Sequence, residues 1–310
     1  MARRLSWVVA VLLLGAYWYL LLDGRADGDA PAPRIDIARL RELSEAIPGA
    51  APTDIVAYVT AVDRKPGNLL VAGSGFHAPH VAAIGYAINY ARQPAIVIDA
   101  AMDERAAIAQ GVEGYSATRR AELDRRIEQA STILLTGTGP FYASGLHTLP
   151  RARLGEAQAR VLRAQIPADR EEQEQMPGLL PDDRPSAIAP GIVSIPAPGF
   201  DAATRMIYVR MISGRELLFT GPNAPIARAW HARKPPARHV TDMLEKRDRA
   251  AMRGWLNAIA DLKRQAPDLI VIAGNDIDTL EREIQNSDAA LGLLRYGLRQ
   301  PGIFVPPGED

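Results

Sequence analysis

The sequence predicts an α/β fold in which helices lie outside two facing sheets, and three observations carry that prediction. Short uninterrupted apolar runs, Ala95 to Asp99 and Leu269 to Ala273, are rich in β-branched residues and bounded by polar or glycine positions, the pattern of strands buried on both faces. Between such runs the apolar period lengthens to that of helices, so the order strand, helix, strand recurs. Strands fall in both halves of the chain with helices between them, which suits two sheets packed against each other. At 310 residues and 47% hydrophobic content the chain has material for a large core.

Each element follows from its local pattern. Ile37, Leu40, Leu43 and Ile47 place one amphipathic helix over 35–47, stopped by Gly49 and Pro52. Asp54 to Asp63, Leu69 to Gly73 and Val81 to Tyr90 read as strands, with Lys65-Pro66-Gly67-Asn68 as the turn between the first two. Met102 to Gln110 and Ala117 to Ala130 read as helices, and Thr132 to Leu135 as a further buried strand. The charged, proline-rich stretch 156–190 reads as a surface excursion or lid. Gly191 to Ile195, Met206 to Met211 and Glu216 to Thr220 are strands, the last two joined by a tight turn at Ser213-Gly214. Met252, Trp255, Leu256, Ile259 and Leu262 mark one long helix within 241–265.

Composition excludes several function classes. Lys and Arg number 36, as do Asp and Glu, so no net charge recruits nucleic acid. The absence of cysteine removes disulfides, thiolate metal sites and cysteine nucleophiles together. The histidines are five: His77, His80, His147, His231 and His239.

The amino terminus departs from this neutrality. Arg3 and Arg4 precede an uncharged run from Leu5 to Leu22, and Asp23, Asp27 and Asp29 follow it. A spanning helix takes roughly 20 apolar residues and a signal-peptide core about 7–15, so the length favours a retained signal anchor over a cleaved leader. The flanks place residues 1–4 in the cytoplasm and the body on the periplasmic side of the inner membrane. Trp7, Trp18 and Tyr19 suit the interfaces, and Pro31 obstructs cleavage after Ala30. The domain layout is then a membrane helix over 5–22 in contact with the lipid bilayer, a polar linker over 23–34 and one domain over 35–310.

Four stretches in the body resemble the metallo-β-lactamase superfamily, and a fifth closes the match. The strand Ala95 to Asp99 is similar to the family strand ending in an acid beside the metal cleft. Ile133 to Leu146, ILLTGTGPFYASGL, resembles the strand followed by the His-x-His-x-Asp-His loop. Pro196 to Asp201 is similar to the segment with a further ligand histidine, Arg215 to Pro222 to the strand ending in Gly-Asp, and Pro267 to Asp276 to the closing strand and its Gly-His loop. The resemblance covers roughly 54–276 and implies a four-layer αββα sandwich.

The same resemblance implies an emptied metal site. Gly137 and Gly139 stand where the first histidines would be, Phe141 and Tyr142 where the Asp-His pair would be, and Phe200, Pro222 and Asn275 at the remaining ligand positions. Glycine, phenylalanine and proline offer a cation no lone pair, and neither an amide nor a neutral phenol normally replaces imidazole on zinc. In this family the ion supplies the nucleophile by lowering the pKa of a bound water to about 7, so without it the reaction has no hydroxide. The expected cofactor is accordingly none.

The other polar residues have plainer readings. His77 and His80 suit a surface turn, since two ligands are too few for a metal site. His147, just past the emptied motif, reads as a helix-surface residue, the alternative being that it joins Asp99 and Asp276 as a residual polar residue of the cleft. Ser74, between Gly73 and Gly75, lacks a nucleophile-elbow pattern. Asp99, Asp201 and Asp276 are expected to cap backbone, because a buried carboxylate is costly without hydrogen bonds. Arg and Lys over 228–249 read as a solvated face. The implied role is a membrane-anchored pseudoenzyme that binds a small apolar ligand or an envelope protein. The rivals are a hydrolase of the lactonase or β-lactamase type that recruits zinc through His77, His80, His147 and Asp276, and a structural subunit of an envelope complex.

Overall fold

A computed structural model of the chain describes residues 2–25, 30–147, 184–286 and 304–308. Two five-stranded mixed sheets form its centre. The first runs β4-β1-β2-β3-β5, from β1 (Asp54–Arg64), β2 (His80–Asn89), β3 (Ile96–Ile98), β4 (Gly114–Tyr115) and β5 (Thr132–Leu134). The second runs β10-β9-β8-β7-β6, from β6 (Ser186–Ala189), β7 (Ile192–Pro196), β8 (Arg205–Arg210), β9 (Glu216–Phe219) and β10 (Ile270–Ile272). Only β3 with β5 and β9 with β10 pair in parallel.

Side-chain alternation produces the layers. Along β1, Ile55, Ala57 and Val59 point into the core between the sheets, while Val56 and Tyr58 point outward. An irregularity between Val59 and Ala61 resets the phase, so that Ala61 faces outward and Val62 inward. In the second sheet Ile207, Leu217, Phe219 and Ile272 face the first sheet, and Met206, Tyr208, Leu218 and Val271 face away. Each outward face is covered by helices. On the first sheet lie α4 (Glu104–Gln110) and α5 (Ala117–Gln129); on the second lie α2 (Ile37–Glu45) and α8 (Arg249–Gln265). The result is the expected αββα sandwich.

Helix starts follow their caps. Asp36, Asp103, Ser116 and Asp248 each accept a hydrogen bond from a backbone N–H in the first turn of α2, α4, α5 and α8. The remaining α-helices among the described residues are α1 (Ala2–Tyr17), α3 (Gly67–Leu70), α6 (Pro140–Ala143), α7 (Ala227–Ala232) and α9 (Ile277–Asn286).

Several sequence expectations are corrected here. Leu69 to Gly73 is not a strand: the segment begins as the single turn α3, and the Asn68 side chain accepts the Gly75 N–H at 3.0 Å, which folds the loop back on itself. The helix read within 241–265 is present as Arg249–Gln265, behind its Asp248 cap, and a π-helical segment the sequence reading did not foresee, His239–Leu244, precedes it. Of the excursion read over 156–190, residues up to 183 lie outside the described part, whereas Ser186–Ala189 is the edge strand β6 and not surface loop. The Tyr115–Val305 bridge, which brings the carboxy-terminal segment back to β4, left no signal in the sequence.

The amino terminus differs most. The α-helix spans only 16 residues, about 24 Å at a rise of ~1.5 Å per residue, and gives way to a π-helical turn over Trp18–Leu22. No helix among the described residues is long and apolar enough to cross a membrane. The expected span over 5–22 is shortened because its last residues join the domain: Leu21 O accepts from Gly73 N at 3.0 Å, and Leu20 to Leu22 are half-buried. Nor is 23–34 a free linker. Asp23 is 7% exposed and pairs with Arg238, while Ala32 and Ile35 pack against the core beneath α8. The basic stretch 228–249 is correspondingly not all solvated, since Arg238 and Arg249 are 2% and 5% exposed.

Candidate functional site

The carboxyl ends of β3 and β5 in one sheet, and of β9 and β10 in the other, open on the same edge of the sandwich, and the loops that follow them meet there. After β3, Asp99 adopts a left-handed backbone at φ 58, an uncommon conformation for a non-glycine residue. It turns its carboxylate onto Thr136, whose N–H and hydroxyl donate to Oδ1 and Oδ2 at 2.7 Å each. Burial pushes the Asp99 pKa up to about 7, against the opposing pull of the two Thr136 hydrogen bonds.

After β5 the loop presents Gly137. A Cβ there would lie 2.9 Å from Pro222 Cγ and 3.2 Å from Tyr142 Cδ2, so those two side chains occupy the space where a larger residue would project. Tyr142, from α6, is 6% exposed and donates its hydroxyl to Asn275 Oδ1 at 2.6 Å. Burial drives its phenol pKa well above the ordinary value, with the nearby Asp99 charge adding to the rise. Asn275 in turn donates from Nδ2 to Ala82 O at 3.0 Å, tying the loop after β10 to β2. A Cβ on Gly274 would come within 2.4 Å of Gly221 O and 2.8 Å of Tyr142 Oη, so this crossing of loops needs glycine at that point. Gly139 stands one turn away and opens α6 as its N-cap.

The outer rim is built by Phe200 and Arg247. The Phe200 N–H donates to Asn223 Oδ1 at 3.1 Å, and the Arg247 guanidinium lies 3.4 Å from the Phe200 ring centroid while donating to Phe200 O at 2.6 Å. Phe141 is half-buried and packs between the outer cores of the two sheets. Thus Gly137, Tyr142, Pro222 and Asn275 converge, with Phe200 held at the rim through Asn223.

The remaining candidates lie elsewhere or are already engaged. Asp276 accepts from Ala227 N, Thr279 N and Thr279 Oγ1 at 2.8–2.9 Å, so it starts α9 and anchors α7. Asp201 accepts from Ala203 N and from Thr204 Oγ1 within its own turn. His147 is exposed and lines a separate surface cavity of about 580 Å³ with Asp103, Thr138 and Ser144. His77 and His231 line another, of about 560 Å³, on the far side of Asp276. His80 Nδ1 is 3.7 Å from Asp278 Oδ1. Sequence reasoning missed Asn223 and Arg247. Of these only Asn223 left a signal, its place directly after the strand-ending Thr-Gly-Pro.

No family model and no curated protein matches the chain. Solved structures do. One is a quorum-quenching N-acyl homoserine lactone lactonase, 13% identical over 75% of this chain and 95% of that one, with TM-score 0.55. A second is an N-acyl homoserine lactone hydrolase with the product N-hexanoyl-L-homoserine bound at its catalytic metal center, 13% identical over 75% and 96%, TM-score 0.56. A third is a probable metal-dependent hydrolase from Staphylococcus aureus, 13% identical over 73% and 90%, TM-score 0.51. At such identities the likeness concerns the fold alone, a metallo-β-lactamase-like αββα sandwich.

That fold implies a metal, and the residues at the loop crossing do not fit one. Gly137, Pro222 and Phe200 have no side-chain donor atoms, Asn275 gives both amide atoms to Tyr142 and Ala82, and Asp99, turned onto Thr136, is a single carboxylate where an ion needs at least three ligands. Among the described residues no three His, Asp or Glu side chains are grouped so as to hold an ion. Residues 148–183, outside the described part, contain no histidine. The polar groups of Asp99, Tyr142 and Asn275 are hydrogen-bonded, whereas the buried hydroxyl of Tyr86, on β2 with its ring against Phe219, has no hydrogen-bond partner among the described residues.

Proposed function

We propose that the protein is a metal-free pseudoenzyme of the metallo-β-lactamase fold, tethered to the membrane by its amino-terminal helix, that acts by binding an apolar ligand or an envelope protein. The observation that carries this reading is the closure of the loop crossing: the Tyr142–Asn275 hydrogen bond joins the loops after β5 and β10, and Pro222 and Tyr142 fill the space beside Gly137. A hydroxide nucleophile in this fold needs a cation to depress the pKa of water, and these residues supply no seat for one. Binding would then use the rim at Phe200 and Arg247 and the flanking cavities.

The tether rests on exposure. Trp7, Val11, Leu12, Leu13 and Leu14 present apolar side chains to the surroundings from several sides of α1, a pattern costly in water and favourable in lipid.

The deciding measurement is the metal content of the full chain in detergent, purified without chelator and dialysed against zinc, with a metal-binding lactonase of the same fold beside it. Metal at background level is expected. Near-stoichiometric zinc would overturn the reading in favour of a hydrolase with a rebuilt ligand set.

A further inference from the structure

The end of α1 is locked onto the domain by two buried arginines. Arg238 reaches Asp23 Oδ2 at 3.3 Å from Nε, Asp242 Oδ2 at 3.2 Å from Nη1, and lies 4.7 Å from the Tyr19 ring centroid. Arg249 donates to Asp23 O at 3.0 Å and Arg25 O at 3.2 Å from one side, and to Pro236 O and Thr241 Oγ1 from the other. A helix joined in this way holds a set angle to its domain, so whatever surrounds α1 also meets a fixed part of the domain surface.

That part of the surface has unusual chemistry. The π-helical segment His239–Leu244 starts against α1, where His239 shares an apolar groove with Leu13, Tyr17 and Leu20, and it ends in Met243 and Leu244, 64% and 71% exposed. The loop bonded to Leu21 through Gly73 carries Phe76, 69% exposed. Arg233, which ends α7, and Lys246, two residues past the π-helical segment, are exposed. Of the acids in this stretch, Asp242 shares Arg238 with Asp23, Glu245 pairs with Arg247, and Asp248 caps α8. Tyr17, Trp18 and Tyr19, partly exposed at the carboxyl end of the helix, mark the level at which aromatic rings favour the boundary of a bilayer.

We propose that the domain itself touches the bilayer, through a collar of Phe76, Met243 and Leu244 with Arg233 and Lys246 that the Asp23–Arg238–Arg249 clamp holds at the level of anionic lipid headgroups. The inference rests on the membrane tether proposed above and adds to it a second, domain-borne contact. Apolar side chains enter the headgroup boundary and the cations meet lipid phosphates. The collar orients the loop crossing and its rim relative to the membrane.

Because the chain has no cysteine, single labels test this directly. Full-length Leu12→Cys, Phe76→Cys, Leu244→Cys and Ile108→Cys variants would each carry an environment-sensitive fluorophore and be reconstituted into phosphatidylcholine–phosphatidylglycerol vesicles containing a headgroup-region nitroxide lipid. Ile108, exposed on α4, is the domain control. Expected are a blue shift and loss of emission at positions 12, 76 and 244 and neither at 108. Quenching at 12 without quenching at 76 and 244 would overturn the collar and leave the tether standing. No quenching at 12 would overturn the tether and the collar with it.

Discussion

Tyr142 donates its hydroxyl to Asn275 across 2.6 Å, joining the loop after β5 to the loop after β10 at the heart of the loop crossing. Both partners are buried, so the bond cannot be exchanged for water when one side is deleted. Tyr142→Phe is expected to cost about 1–3 kcal/mol, because it leaves Asn275 Oδ1 without that partner in a dry site. Asn275→Ala should cost more, since it also releases Ala82 O. Urea unfolding of the two single variants and the double variant measures the coupling, which is expected to be positive.

The close approach of Gly137 to Pro222 makes a second, opposite prediction. Adding a methyl group by Gly137→Ala places a Cβ 2.9 Å from Pro222 Cγ, and overpacking of this kind costs about 1–3 kcal/mol. Pro222→Ala removes the obstructing ring atoms, so the double variant should recover much of the loss of Gly137→Ala. If Gly137→Ala melts like the parent, the position is not filled as described.

Asp99 predicts a pH dependence. Its folded pKa of about 7 lies above the ordinary carboxylate value of 3.8, so between those values the folded state binds more protons than the unfolded chain. The contribution of this group to stability is therefore greatest below the unfolded value, declines as pH rises toward 7, and is level beyond. Asp99→Asn keeps an acceptor for the Thr136 N–H and removes the ionisation. Thermal melts from pH 4 to 8 should show a shallower decline in the variant than in the parent, a pH range set by about those two pKa values.

How much of this was legible beforehand differs by level. The sandwich was, because Ile96 to Ile98 and Ile270 to Ile272 are apolar on both faces and the helices between carry a one-sided stripe. That Gly137, Tyr142, Pro222 and Asn275 belong together was implied by the resemblance to the metallo-β-lactamase superfamily, and each sits beyond the end of a strand or in the helix after it. The bond that closes their crossing was not legible. The Tyr142–Asn275 bond joins residues 133 positions apart, and no local pattern reports a contact of that kind. Arg238 and Arg249 show the converse failure: charge alone marks a residue as solvated, and only the packing of Asp23 and Arg25 against α8 reveals buried guanidinium groups.

Glu216 binds α2 to the second sheet. Arg41 grips both of its oxygens, at 2.6 and 2.7 Å, and Tyr208 donates to Oε1 at 2.5 Å. Burial raises the Glu216 pKa, but the hydrogen bonds from Arg41 and Tyr208 outweigh it and hold the carboxylate below its ordinary value of 4.5. A lowered folded pKa means stability that is present above the unfolded value and lost as pH falls through the folded one. Glu216→Gln should lose about 1.5–3 kcal/mol at neutral pH, the range for hydrogen bonds to charged groups, and the deficit should shrink in acid. Chemical denaturation at pH 7 and pH 3 checks both the size and the direction.

The clamp at Asp23 makes the amino-terminal segment part of the domain, with a consequence for any truncated form. A fragment beginning near Pro31 keeps every strand but loses the Asp23 carboxylate from Arg238 and the Asp23 and Arg25 carbonyls from Arg249, two guanidinium groups 2% and 5% exposed. Removing one partner of a buried ion pair costs about 3–5 kcal/mol, because the remaining charge stays in a medium that solvates it poorly. The fragment is expected to melt below the full chain in the same detergent, and Asp23→Ala in the full chain should reproduce much of that difference. Arg249→Ala should be worse than Asp23→Ala, since Arg249 also holds Pro236 O and Thr241 Oγ1. Equal melting of fragment and full chain would show that the arginines find substitutes and that residues 23–25 serve only as a connection.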